Sequence, residues 1–496
     1  MLVQKYHCYI SVMHKLLNGQ NMIPLFTKLQ EENYDNLAGN ARDHSVSKGI
    51  VILCKDDQSS VKRYKCAPFT LFPSPITKDG FQLLTFLQPH INKLIHDVSQ
   101  DDEFMSSVFQ SVIKVDDFTK KLYNIYKASK TSVKQLQLGI FRSDYMFDCV
   151  IEKNRTETYN PKQIEVNTIA ASFIGLGSRI NSVHCKVLQD AKMKPLTTQM
   201  PKNEALTKVA HGLVAAWETY GNSDAIVVFL VEENEANIFD QRALEYAIYE
   251  INESIIVKRK TFTELLKNIA LSSDRKITVN DEEVAVVYFR TGYTPNDYTN
   301  EQFWDVRLKL EKSCAILCPS VGYQLAGCKK MQEVLAQPNV LEKFIDDEDV
   351  VQKMRSTFAG LYALDMNSDG DNAVQMARTN PDHYVLKPQR EGGGNNVYGE
   401  DIVTLLSEIG NDERRCAYIL MEKICPKPLD NIFVTASGHQ KVNAISEFGT
   451  YGVILARGTE IIENYSAGHL LRSKSHEHND GGVAAGVAVL DSPLLV

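Results

Sequence analysis

Residues 384–400 read YVLKPQREGGGNNVYGE, and no other stretch limits the architecture as tightly. An apolar run ends in Lys387, and Arg390 and Glu391 then stand directly before Gly392, Gly393 and Gly394, which lead into Asn395 and Asn396. Consecutive glycines let backbone N–H groups close on a ligand with no Cβ in the way, and a run of such groups forms a concavity suited to phosphate oxygens. A plain surface turn is the other use of a Gly-Asn cluster. Two familiar phosphate patterns are excluded: no Lys-Ser or Lys-Thr follows the last glycine, and no G-x-G-x-x-G is formed.

At 496 residues the chain is too long for one ordinary core, so two or three domains are expected. A net charge of -8 gives no basic field for nucleic acid, and no nucleic-acid partner is expected. The opening MLVQKYHCYISVMHKLL is interrupted by Lys5, His7, His14 and Lys15 and reads as no signal peptide. No run of eighteen apolar residues occurs, so no membrane partner is expected. Ten cysteines without a secretory signal read as reduced thiols in a cytoplasmic protein. Cys314 and Cys318 in CAILC have the spacing of one helix face, and core packing is the expected role rather than zinc.

Residues 1 to about 60 mix helical spacing with polar loops, and Phe81 to Lys127 is long and helical. LQLGIFRSDYMF and KQIEVNTIAASFIGLGSR then bring short apolar runs that end in polar or small residues, where α/β proteins tend to carry ligand-binding groups. DAIVVFLV, DQRALEYAIYEI, SIIVKRKTF and EVAVVYFR read as β-α-β and a further crossover, which predicts a small parallel α/β domain inserted in a larger chain. RRCAYILMEKI and KVNAISEFGTYGVILA read as antiparallel strands around a ligand cleft, and HNDGGVAAGVAVL as a second glycine-rich loop able to serve as a lid or as a tight turn.

Glu165 and Asn167, two apart in QIEVNT, share one face of a strand. With Glu391 they would offer magnesium a few oxygens beside nucleotide phosphates; a solvated sheet face is the alternative. Arg142, Arg290, Lys329, Lys387, Arg472 and Lys474 all lie at the ends of apolar runs or beside glycines. Each alone could be a surface charge, and together they suit a site for phosphate and carboxylate. GLGSR around Ser178 forms no G-x-S-x-G elbow, and His184, His469, His476 and His478 show no metal-ligand spacing, reading instead as polar surface or hydrogen-bonding residues.

APFTLFPSP, LGIFRSDYMF, QIEVNTIAASF, ENEANIFDQRALE, VAVVYFRTGY, QLAGCKK, TFAGLYALD, VLKPQREGGGNNVYGE, YILMEKI, AISEFGTYGV and DGGVAAGVAVLD, in this order, closely resemble the eukaryotic glutathione synthetases of the ATP-grasp superfamily. The resemblance covers the chain from about residue 66 to the end. It implies an α/β (α+β overall) ATP-grasp fold with the inserted parallel α/β substrate-binding domain and a helical N-terminal part. The divisions are 1–223 for the helical region and first part of the core, 224–327 for the inserted domain, and 328–496 for the remainder with both lid loops.

The resemblance further implies ligation of γ-glutamylcysteine to glycine through an acyl phosphate, with ATP and Mg2+, by a homodimer. Glu165, Asn167 and Glu391 would hold the metal. Lys329, Lys387, Gly392, Gly393, Gly394, Asn395, Asn396, Tyr398, Met421, Glu422, Lys423, Ile424, Glu447, Lys474 and Asp480 would bind the nucleotide. Arg142, Ser172, Glu235, Asn237, Gln241, Arg290, Tyr293, Arg472, Val483 and Ala484 would bind the other substrates. Arg142, Lys387 and Arg472 would offset charge on the transferring group, and Asp144 resembles an acid near the active site. Where the family often reads Ser-Ala-Ser-Phe, this chain has AASF, so Ala170 lacks a hydroxyl that would contact the dipeptide. A related ligase with another acceptor, or a silent nucleotide-binding homologue, are the alternatives; the small VAAG lid favours glycine.

Overall fold

A computed structural model describes residues 34–54, 62–130, 135–153, 157–479, 483 and 486–496. The strand Leu136–Ile151 is its seam. Along one edge it runs antiparallel to Gly438–Arg457. The other edge is shared: Gln137 pairs in parallel with Leu317 of the short strand Ile316–Cys318, and farther along Glu157–Asn167 pairs antiparallel from Arg142 onward. An antiparallel half and a parallel half thus join into one sheet of thirteen described strands.

The parallel half places Val257–Lys260, Ile226–Leu230, Glu282–Phe289 and Ile316–Cys318 side by side. This is the parallel unit expected within 224–327, and its last strand joins it to the seam. Ile226, Val228 and Leu230 enter a core shared with the helices Lys78–Gln100, Asp117–Ser129 and Gln302–Lys312, while Val227 and Phe229 enter a second core with Ile174–Asp190, Ala205–Tyr220 and Ile238–Ile251. A strand buried on both faces shows no polar alternation, hence the unbroken IVVFL. A second sheet of four strands, in the order Leu361–Ala363, Tyr418–Glu422, Tyr384–Pro388 and Val397–Tyr398, has a small core of its own around Leu386, Leu420, Ile402 and Leu406.

Three local expectations are corrected. CAILC is not a helix face: Ile316–Cys318 is a buried strand, because the helix before it stops at Lys312 and the apolar run is too short for another. SIIVKRKTF is strand only over Val257–Lys260, because Thr261 and Glu264 form a capping box that starts the helix Phe262–Asn268. His469 is buried rather than a surface residue, while His184, also buried, takes the hydrogen-bonding role that was the other expectation. His184 Nε2 lies 2.6 Å from the Thr70 carbonyl oxygen, and His469 stacks on Phe448 with ring centroids 5.9 Å apart.

Two predictions follow from this packing. The helix Lys78–Gln100 crosses Gly438–Arg457 at a polar seam, where Gln88 Nε2 donates to Asn92 Oδ1 (2.9 Å) and Thr450 Oγ1 donates to Gln88 Oε1 (2.6 Å). A Cβ at Gly452 would lie 2.0 Å from Asn92 Oδ1. Gly452→Ala should lower stability by about 1–3 kcal/mol, seen as a lower urea midpoint. Burial holds the His469 imidazole down at about 3, so it stays neutral in the folded protein. The unfolded chain takes up that proton near pH ~6.5, so this residue's contribution makes stability fall as pH drops below that value. His469→Phe should flatten the dependence of the thermal midpoint on pH between about 6.5 and 5; an unchanged slope would rule out a buried neutral imidazole.

Candidate active site

Between the two sheets lies a cleft of about 260 Å³. The four-stranded sheet supplies Val385, Lys387 and Tyr398 and the segment Met421, Glu422, Lys423 and Ile424, with Asn396 beside them; the large sheet supplies Met146, Ile164, Ile445, Glu447 and Lys474. Strand pairing sets this arrangement, since Val385 stands opposite both Tyr398 and Met421. The Glu422 carboxylate accepts from Gly360 N (3.2 Å) and Tyr362 Oη (2.9 Å), so that side chain is already engaged. Lys387 Nζ donates to the Ile164 carbonyl (2.9 Å) and Lys474 Nζ to the Asn479 carbonyl (2.7 Å), which also accepts from Tyr398 Oη. His476 and His478 line the same cleft, which their sequence context did not show.

At one end of the cleft Lys329 binds two carboxylates, Glu165 Oε2 at 3.0 Å and Glu391 Oε2 at 2.9 Å. Burial opposes ionisation of Glu165, but Lys329 and Lys387 more than offset it and hold the carboxyl down at about 2. Burial, together with the Glu165 charge, pushes Glu391 up against the pull of Lys329. Gly392 and Gly394 adopt φ of +86° and +90°, which only glycine takes without strain, and a Cβ at Gly392 would lie 4.0 Å from the Tyr293 ring. Asn395 Nδ2 closes the loop by donating to the Gly392 carbonyl (3.0 Å).

Beside this cluster Asp144 joins three strands. Arg142 meets it twice, through Nε (2.7 Å) and Nη2 (2.8 Å); Asn167 Nδ2 donates to it at 2.8 Å and Arg472 Nη2 at 3.3 Å. Arg472 Nε also donates to Glu447 Oε1 (3.0 Å), its direct cross-strand partner. Glu165, Asn167 and Glu391 therefore present hard oxygen donors of the kind magnesium takes, two carboxylates and an amide. Among the described residues no group of three His, Cys, Asp or Glu side chains is arranged for a metal.

Most of the remaining described residues lie in the segment 170–173, in the loops that follow the strands Ile226–Leu230 and Glu282–Phe289, and on the helix Ile238–Ile251. Arg290 Nη1 donates to the Ala171 carbonyl (3.0 Å), and Arg142 Nη1 and Tyr451 Oη donate to that of Ser172 (3.2 and 2.6 Å). Gln241 Nε2 donates to Glu235, whose other oxygen accepts from Asn237 N (2.8 Å). The Asn237 amide is buried with neither polar atom paired among the described residues. Val483 is buried, while Asp480 and Ala484 lie outside the described residues. Ala170 has a φ of +52°, so the position without the hydroxyl also carries backbone strain.

These geometries stand in a known context. A family model described as eukaryotic glutathione synthase, ATP binding domain, matches residues 31–495. The chain belongs to that family. It is 45% identical to the glutathione synthetase of Xenopus laevis over 474 residues, which is 95% of this chain and 98% of that one. The human enzyme is 42% identical over 469 residues, covering 93% and 97% of the two chains, and the chloroplastic enzyme of Arabidopsis thaliana is 37% identical over 486, covering 95% and 88%. A glutathione synthetase-like effector of Globodera pallida, solved in its apo form, shares the fold with a TM-score of 0.76 at 24% identity, covering 96% of this chain and all of that one.

Within this glutathione synthase framework, sequence reasoning missed Asp240 and Tyr451. Asp240 reaches from the helix Ile238–Ile251 to accept from Phe173 N (2.7 Å), Gly175 N (2.7 Å) and Leu176 N (3.0 Å), which caps the helix Ile174–Asp190 and holds the 170–173 turn. Its signal was an acid four residues before Leu244, on the apolar stripe of its own helix. Tyr451, inside an apolar strand, gave none. Asp240→Ala strands buried N–H groups and should cost about 1–3 kcal/mol, measured by chemical denaturation; a wild-type midpoint would show that the turn stands without it.

Proposed function

We propose that the cleft joins γ-glutamylcysteine to glycine, driven by ATP, with the residues above in these roles. The observation that carries the reading is Lys329 held between Glu165 and Glu391 at the foot of the glycine loop. Glu165, Glu391 and the Asn167 oxygen would hold magnesium, which supplies Lewis-acid charge neutralisation on the phosphates when bound. Backbone groups of Met421–Ile424 face the base, Glu447 the ribose, and Lys329, Lys387, Lys474 and the 392–396 loop the phosphates. Arg290, the 170–173 turn, Glu235, Asn237, Gln241 and Tyr293 receive the dipeptide.

The cysteine carboxylate of the dipeptide attacks the γ-phosphorus, forming a C–O–P bond as the bond to ADP breaks. The glycine amine then forms the C–N bond, phosphate leaves, and the amine loses its proton. Arg142 and Arg472, fixed by Asp144 and Glu447, stabilise charge developing on the transferred group without reorganising. The 392–396 loop excludes water from the acyl phosphate.

We further propose a homodimer, supported by the exposed Tyr246 and Tyr249 on one helix and by exposed Tyr64 against Phe239 at the start of that helix. A cytoplasmic setting is supported by the free cysteines among the described residues. No described helix is long and apolar enough to cross a membrane, and neither membrane nor nucleic acid is proposed as a partner.

The test is ADP release with ATP, magnesium and γ-glutamylcysteine, with and without glycine, and glutathione identified by mass. Release with β-alanine or serine but not glycine would move the assignment to a sister ligase, and no release in any pairing would make the protein a silent binder. Glu391→Ala should lower turnover about 10²-fold or more while the unfolding midpoint holds.

A further inference from the structure

The 392–396 loop cannot fix Glu391 from its far side, because Gly392 and Gly394 make that side the most pliable part of the segment. Lys329 holds the Glu391 carboxylate; along the chain, restraint comes from residues 387–390, and each of the last two grips a different element. Gln389 donates its backbone N–H to the Ala417 carbonyl (3.2 Å) and accepts Lys330 N at its side-chain oxygen (3.0 Å), at the start of the helix that carries Lys329. Arg390 turns the other way. Its Nη1 meets Asp116 Oδ2 at 2.6 Å, and its guanidinium lies over the Phe118 ring, 5.8 Å from the centroid.

Asp116 is itself buried, and its second oxygen accepts from Thr119 N (2.8 Å), capping the helix Asp117–Ser129. The ion pair therefore ties the residue next to Glu391 to a helix of the large core. Beside it opens a cleft of about 450 Å³, lined by Pro388, Tyr418, Arg414 and Val115, so the pair spans a gap that packing does not fill. We propose that Arg390 and Asp116 are positioning residues that hold Glu391 in place for the metal. The proposal rests on the assignment of Glu391 made above, and it adds a pair that neither the glycine loop nor the cation pattern revealed.

The test uses the full chain with Arg390→Gln, Asp116→Asn, Arg390→Lys and the Gln/Asn double variant. Asn at 116 keeps an oxygen for Thr119 N–H, so the helix cap survives. Hydrogen exchange of the 391–396 amides should quicken in Arg390→Gln and in Asp116→Asn, with thermal midpoints near wild type. The magnesium concentration for half-maximal turnover should rise about 10–100-fold, the usual effect of losing an outer-shell partner, while KM for the dipeptide holds. Arg390→Lys, which keeps the charge, should recover most of the loss, and the double variant should be no worse than either single one. Unchanged loop exchange would overturn the proposal, as would a dipeptide KM that moves with the magnesium requirement or single effects that multiply in the double variant. A wild-type protein with no magnesium-dependent turnover would instead sink the functional reading, and the exchange measurement would still decide the role of the pair.

Discussion

The Asp144 carboxylate is the contact on which the site depends. Four hydrogen bonds reach it from Arg142, Asn167 and Arg472, so a single buried anion holds groups from three strands in one plane of charge. Space for it is made across the sheet by Gly449, where a Cβ would stand 2.6 Å from Asp144 Oδ1. Breaking a buried pair by removing one partner costs about 3–5 kcal/mol, because the other charge is left in a medium that solvates it poorly. Here Arg142 would lose its carboxylate partner, while Arg472 keeps Glu447. A strand register shifted by one residue would turn every side chain to the other face, so the pairing of Glu447 with Arg472 and of Arg142 with Asn167 requires this one alignment.

The two sheets divide the work by their construction. The large sheet is buried on both faces by two extensive cores, and it carries Arg142, Asp144, Glu165, Asn167, Glu447 and Arg472 on strands. The four-stranded sheet rests on a small core and contributes mostly backbone edges and a loop. Rigid strands suit groups that must meet developing charge at fixed distances, and pliable backbone suits wrapping a flexible polyphosphate.

Legibility in the sequence followed the same division. The residues at strand ends, from Arg142 to Lys474, could be named because apolar runs stop at them; of these, Lys387 and Lys474 line the cleft between the sheets. The parallel unit was legible because buried strands and a periodic helix alternate there. What escaped notice acts across the fold: Asp240 serves a helix more than sixty positions earlier in the chain, and Asp116 and Arg390 meet from segments separated by the whole parallel half. No local pattern marks such partners. CAILC misled because two cysteines four apart fit one helix face, whereas Cys318 ends the short strand Ile316–Cys318 and Cys314 lies before it.

Lys329 has a consequence for the order in which ligands arrive. Two carboxylates this close would repel each other, and the ammonium between them acts as an internal counter-ion that keeps them from spreading apart. A bare divalent cation entering there meets a positive charge already in place. A cation arriving on polyphosphate brings, in the same step, the anion that can take the ammonium over. On the roles proposed for Glu165 and Glu391, metal and nucleotide are interdependent, each lowering the electrostatic barrier to the other.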